Sequence, residues 1–176
     1  MSFPKYLFLV LIFVLTGCDD FNPSADDKRQ PIEIGIIGPD VGQNAPDFSL
    51  FDTEGYPRLM SAELVGQDGI VMYFTMWCPI CDSHMSHLRT QVIPNFPNVK
   101  FFIIDFVSGT VAFSRTAQEN NGYTDLTVLV DNTQEVKTLY EANMGITVVI
   151  DNAGIVRMNE YYKDATKLIE TLTSLP

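Results

Sequence analysis

The chain has 176 residues, a formal charge of −11 at pH 7, 46% hydrophobic residues and 19% charged ones. That length fits one ordinary domain with a real core, and the apolar share belongs to a globular chain rather than a disordered one. The acidic excess argues against a nucleic-acid footprint and reads as a solubilising surface.

In chain order, Lys5 precedes the apolar run YLFLVLIFVL from Tyr6 to Leu15. The run is too short to cross a bilayer as a mature helix and reads as a signal peptide over residues 1–17. The following LTGC, Leu15 to Cys18, resembles the lipobox of bacterial lipoproteins. That resemblance implies cleavage before Cys18 and lipidation of its thiol. Asp19 resembles the signal that retains such lipoproteins in the inner membrane, so the expected location is the bacterial inner membrane, lipid-anchored and facing the periplasm. Export places the two remaining cysteines, Cys78 and Cys81, where disulfides persist. Residues 18–40 begin with acids, Asn, Pro and Ser and read as a tether, within which Ile32 to Ile37 offers an edge strand.

The third segment, 41–176, is read as one α/β domain with a mixed central sheet flanked by helices. DFSLFDTEGYPRL reads as a hairpin turning at Thr53 to Gly55. GIVMYFT (69–75) and VKFFIIDF (99–106) are near-continuous apolar runs suited to buried, parallel strands joined by a helix. A helix near 111–120, the strand LTVLVD and a helix near 133–142 form the next crossover. ITVVIDNAGIVRMNEY gives two strands turning at Asp151 to Gly154, and DATKLIETL a closing helix.

Chemistry concentrates in YFTMWCPICDSHMSHL, Tyr73 to Leu88. Cys78 falls where a buried strand meets a helix, and Pro79 suits the first helical position because its missing N–H would be unpaired there. Free N–H groups and the helix dipole favour a thiolate, so Cys78 is expected to have a lowered pKa and to be the nucleophile. Cα atoms three residues apart in a helix lie about 5 Å from each other, inside the disulfide window, so Cys81 is the resolving thiol. The bland alternative makes both cysteines part of the apolar stripe Cys78, Cys81, Met85, Leu88, Val92.

MWCPIC after IVMYFT resembles the active site of thioredoxin-fold proteins, and VGQNAPDFSLFDTEG resembles the opening of the membrane-anchored TlpA/ResA type of thiol-disulfide oxidoreductase. LTVLVDNTQEVKTLY resembles that group's strand and helix inserted into the thioredoxin core. The resemblance implies a thioredoxin-like fold and an extracytoplasmic enzyme acting on protein disulfides without a cofactor. Its partners would be protein dithiol or disulfide substrates and a redox partner. Three departures stand out: His84 replaces a common Glu, Ser86 replaces Pro, and the cis-proline facing the dithiol is absent. No proline occurs between Asn98 and Leu175, and the vacant position is Gly145, or Ile146 by the other count. A trans peptide is expected there, because a non-proline cis bond costs about 2.5–4 kcal/mol. Met72 occupies the place of thioredoxin's buried Asp.

A four-ligand metal clamp from Cys78, Cys81, His84 and His87 fails on helix geometry, since His87 lies about 180° around and about 13 Å along from Cys78. His87 therefore reads as a solvated or partly packed helix residue. The competing function is a Cu(I)-binding or metal-delivery module using Cys78 and Cys81 with Met144 or His84, because soft sulfur ligands select that ion. His84 is one turn beyond Cys81 and is assigned with the two cysteines to the catalytic set, as base or hydrogen-bond partner of Cys81, the alternative being a surface histidine that titrates near its usual value of about 6.5. Tyr73, Phe74 and Phe101 to Ile104 read as core, and Trp77 as either part of the core or a lid beside the sulfurs, the lid being what the resemblance implies.

Overall fold

The computed structural model describes residues 33–176. The signal peptide, Cys18 and the tether up to residue 32 lie outside them. The elements run β1 (Ser49–Asp52), β2 (Pro57–Leu59), α1 (Met60–Glu63), β3 (Gly69–Thr75), α2 (Pro79–His87), β4 (Val99–Asp105), α3 (Val111–Asn120), β5 (Thr127–Val130), α4 (Glu135–Leu139), β6 (Ile146–Asp151), β7 (Val156–Tyr161) and α5 (Thr166–Thr173). The strands form one sheet in the order β2-β1-β5-β4-β3-β6-β7. β3, β4 and β5 are mutually parallel, and the pairs β3–β6, β6–β7, β1–β5 and β1–β2 are antiparallel. This is a thioredoxin-like α/β fold, with the hairpin β1–β2 extending the sheet beyond β5.

β3 explains the unbroken apolar run. All seven of its residues are buried, and the strand's period of two sends them to opposite faces. Ile70, Met72 and Phe74 enter a core with Phe102, Ile104, Leu129, Val136 and Tyr140, while Val71 and Tyr73 enter another with Cys81, Met85, Leu88 and Leu168. Helices α4 and α2 with α5 thus cover the two faces, as parallel strands require. Met72 points away from the helix that carries the cysteines.

The chain departs from expectation in two places, and in a third it shows what the absence of a proline at Ser86 allows. Glu33 to Ile37 forms no strand and contributes only the isolated bridge Ile37–Asn44. Gly35 turns the backbone at φ +86°, and Asn44 fastens the turn through bonds to the carbonyls of Ile36 and Gly35. Ile34 and Ile37 stay exposed, so no apolar face holds a strand register. Helix α4 is shorter than 133–142. The buried Asp131 carboxylate accepts the N–H groups of Val136 and Lys137 at its start, and Glu141 in the left-handed region (φ +49°) ends it. Finally, α2 passes Ser86 without a break, since no proline interrupts it, and its pattern changes only at a wide turn over Leu88–Val92 ahead of Pro94.

Candidate active site

The carboxyl ends of β3 and β4 lie side by side, with Thr75 paired to Asp105, and the dithiol sits just outside them. Cys78 is the N-cap of α2, with Pro79 at the first helical position. Its Sγ accepts the Cys81 N–H at 3.3 Å, taking up one of the helix's free donors. Cys78 is partly exposed, whereas Cys81 is fully buried; both are free thiols. An incoming group can therefore reach only Cys78. The apolar stripe is real for Cys81, Met85, Leu88 and Val92, all buried, and Cys78 is its accessible end.

The expected lowering of the Cys78 pKa is corrected by its surroundings. Burial and the neighbouring Cys81 thiol push Cys78 up, against the backbone N–H bonds that favour its thiolate. Burial also pushes Cys81 up, but hydrogen bonds from Cys78, from backbone groups of the turn and from Thr75 bring it below the ordinary thiol value. The two neighbouring thiols thus bias each other's ionisation in opposite directions. In Cys81→Ala one of the two influences raising Cys78 is gone, while burial remains. Alkylation of Cys78 should then follow a pH profile shifted to lower pH, with several-fold faster labelling near neutrality.

Trp77 is held in an unusual backbone state, φ +55°. Its N–H bonds to Thr75 Oγ1 at 3.1 Å and its indole Nε1 donates to Asp105 Oδ2 at 2.8 Å. The fully buried Asp105 also accepts from Ser114 Oγ and from the N–H groups of Val107 and Ser108. Burial pushes this carboxyl up, but the bonds from Ser108, Ser114, Trp77 and Val107 outweigh it and hold the pKa below the usual value. Trp77 is latched beside the dithiol by a charged anchor.

Across the cleft, Met144 Sδ lies 3.2 Å from Cys78 Sγ. Gly145 follows in the left-handed region at φ +80°, its N–H bonded to Phe74 O at 2.9 Å and its carbonyl to Tyr162 N–H. No peptide bond among the described residues is cis. This loop is built for glycine: proline fixes φ near −65° and lacks the N–H. Gly145→Pro should therefore destabilise the protein by about 3 kcal/mol, read as a fall in the urea midpoint.

His84 bonds through Nδ1 to the Tyr73 hydroxyl at 3.0 Å, and its ring packs on Tyr162 with centroids 4.6 Å apart. Burial, then the charge of His87, lowers the His84 pKa, so its imidazole is neutral near pH 7. Tyr73 is fully buried, and burial, then the nearby Cys81, raises its pKa. His87 bonds to Tyr162 OH at 2.8 Å and is partly packed. Among the described residues no group of three or more His, Cys, Asp or Glu is placed to hold a metal ion.

The helix thus brings together Cys78, Cys81, Trp77 and Pro79, and the loop before β6 adds Met144 and Gly145. Sequence reasoning missed Thr75, Asp105 and the bond between Tyr73 and His84. Asp105 carries a signal: a charged residue closing an apolar parallel strand lies at the end where such sheets place their sites.

The AhpC/TSA family model matches residues 41–159. The methylamine utilization protein MauD of Paracoccus denitrificans is 44% identical over 46 residues, which is 26% of this chain and 23% of MauD's length. Among solved structures, peroxidoxin BcpB of Mycobacterium tuberculosis superposes with a TM-score of 0.64 at 22% identity, covering 77% of this chain and 97% of BcpB. A secreted disulfide oxidoreductase of the same organism, homologous to E. coli DsbE, superposes with a TM-score of 0.56 at 22% identity, covering 73% and 96%.

Proposed function

The chain belongs to the AhpC/TSA family, and from that membership and the site we propose that it is a thiol-disulfide oxidoreductase of protein substrates, of the membrane-anchored TlpA/ResA type. The observation carrying this reading is the accessible Cys78 sulfur at the start of α2 with the buried Cys81 one turn below it. Cys78, as thiolate, attacks one sulfur of a partner's disulfide; a mixed disulfide forms and the partner's other sulfur leaves as a thiolate. Cys81, as thiolate, then attacks Cys78 Sγ. The Cys78–Cys81 bond forms, the partner's second sulfur leaves, and one dithiol has been oxidised for one disulfide reduced.

Ionisation and attack fall to different sulfurs. Exchange therefore begins from the form in which Cys78, and not Cys81, has lost its proton. Met76 and Ile80, both exposed, flank Cys78 with apolar surface suited to a peptide rather than to a charged small molecule.

The membrane attachment belongs to the same proposal and rests on LTGC with Asp19. None of the helices among the described residues is long and apolar enough to cross a membrane. A lipid on Cys18 would place the domain at the periplasmic face of the inner membrane, on a tether whose last residues are fastened through Asn44 and Asn159. Mass spectrometry of the mature N-terminus tests it: a diacylglyceryl-modified Cys18 is expected, and an unmodified or different terminus overturns the anchor. The activity is tested with the reduced protein and a protein disulfide. About one substrate disulfide should be opened per protein as the Cys78–Cys81 disulfide forms, and no exchange would overturn the reading.

A further inference from the structure

The dithiol occupies one end of the sheet, and an exposed apolar loop occupies the other. β3 runs from Gly69 to Thr75, a length of about 20 Å, and Cys78 follows its carboxyl end. Gly69, at the amino end, pairs with Asp151 of β6. Segment 33–45 is fastened beside that end, where β6 turns into β7. There the Ala45 N–H bonds to Gly154 O, the Gly42 N–H to Val156 O and the Val156 N–H to Gln43 O. The segment leaves Ile34 81%, Ile36 47%, Ile37 75% and Val41 51% exposed. These side chains share one turn. Ile34 Cγ1 lies 3.6 Å from where a Cβ on Gly42 would stand, and Asn44 ties the backbone of Ile36 to the same loop.

We infer that Ile34, Ile36, Ile37 and Val41 form a membrane-contact surface, which enters the lipid interface and holds the domain with its dithiol end turned away from the bilayer. The inference rests on the anchor proposed above and adds to it a second, non-covalent contact. Residues 19–32 separate Cys18 from Glu33, and a tether of that length averages on the order of 20 Å end to end. A domain of this size is about 35–40 Å across, so the anchored domain meets the lipid first with the end that carries Glu33. Aliphatic side chains exposed there gain by entering the boundary of headgroups and acyl chains, where interfacial segments bury their apolar face about 5–10 Å deep. A second copy of the chain fits this surface less well, because four side chains present well under the roughly 800 Å² that each partner brings to a standard protein interface.

Charge contributes little to the contact. Val41 borders a cleft of about 330 Å³ lined by Arg157, Lys167, Glu170, Thr171 and Ser174. Arg157 is already paired with the buried Asp151, and Lys167 stands one turn from Glu170 on α5, so the cleft offers no surplus cation to an anionic headgroup. Glu33 and Asp40, both exposed, add only acid. The surface therefore suits zwitterionic lipid, and salt should leave the contact in place.

The single tryptophan supplies an internal reference, because Trp77 sits at the dithiol end. The test places the lipidated full chain in phosphatidylcholine vesicles whose acyl chains carry bromine close to the headgroup, and compares tryptophan emission with that in unbrominated vesicles. The wild type should keep its emission. Ile37→Trp should lose the added emission on brominated lipid, at low and at high salt alike. Ile34→Ser with Val41→Ser in the same chain should restore it, while flotation with the vesicles and disulfide exchange stay at the wild-type level and verify anchor and fold. An added indole that stays unquenched in floating protein overturns the inference. So does quenching that survives both serines, since the indole alone would then be the cause, and so does quenching of Trp77 in the wild type, which would put the dithiol end at the lipid. Protein that does not float with the vesicles overturns the anchor reading itself, and the contact surface with it.

Discussion

Cys78→Ser should lower protein-disulfide reduction by more than about 10³-fold, to the uncatalysed background, while leaving the fold intact. A serine hydroxyl ionises far above any working pH and forms no S–S bond, so neither step of exchange survives. Cys81 does not rescue it, because that sulfur is fully buried and has no path to a partner's disulfide. The asymmetry is the informative part. Cys81→Ser should keep the first step and stop at the mixed disulfide, so the two single variants differ in what accumulates although both end turnover. Unfolding curves that overlay the wild type's would assign the loss to chemistry, since Cys78 is only partly buried and its Sγ supplies little more than the cap of α2.

The second large effect is on stability. Asp105→Ala should cost about 3 kcal/mol or more, because it strands the Trp77 indole, the Ser114 hydroxyl and two N–H groups around a fully buried space. The pH dependence has a definite sign. The folded pKa of Asp105 lies below its unfolded value of about 3.9, so the stabilisation is complete above that value and is lost as pH falls through the folded pKa. Acid unfolding of the wild type should include this contribution, and the Ala variant should lack it. The chain has a single tryptophan, so Trp77 fluorescence reports release of the latch directly. Loss of the Asp105 bond also frees the strained Trp77 backbone at φ +55° beside the nucleophile. Exchange should therefore slow even under conditions where the variant remains folded.

How far the amino-acid sequence foretells all this depends on the kind of contact. β3 and β4 were readable because a parallel strand covered on both faces must be apolar throughout, and both fall where GIVMYFT and VKFFIID place them. Cys78 at the helix start was readable because Pro79 marks the first turn. The Gly145 loop was legible only as a missing proline; its positive φ and its bond to Phe74 O arise from pairing with a strand 71 residues earlier in the chain. Tyr73 is core by pattern, and only the packing of α2 across β3 brings its hydroxyl to His84 Nδ1. Asp105 gathers donors from Trp77, Val107, Ser108 and Ser114, an arrangement that no local periodicity encodes. Glu33–Ile37 failed for the opposite reason, since β-branched residues without a face to bury do not hold a strand.

The central claim is that Cys78 attacks and Cys81 resolves, and the Cys81→Ser variant tests it most directly. Incubated with a protein disulfide and run without reductant, it should accumulate a covalent complex whose peptide map joins Cys78 to a substrate cysteine and whose bond is opened by dithiothreitol. No adduct through Cys78, or the same adduct yield in Cys78→Ser, would contradict the account.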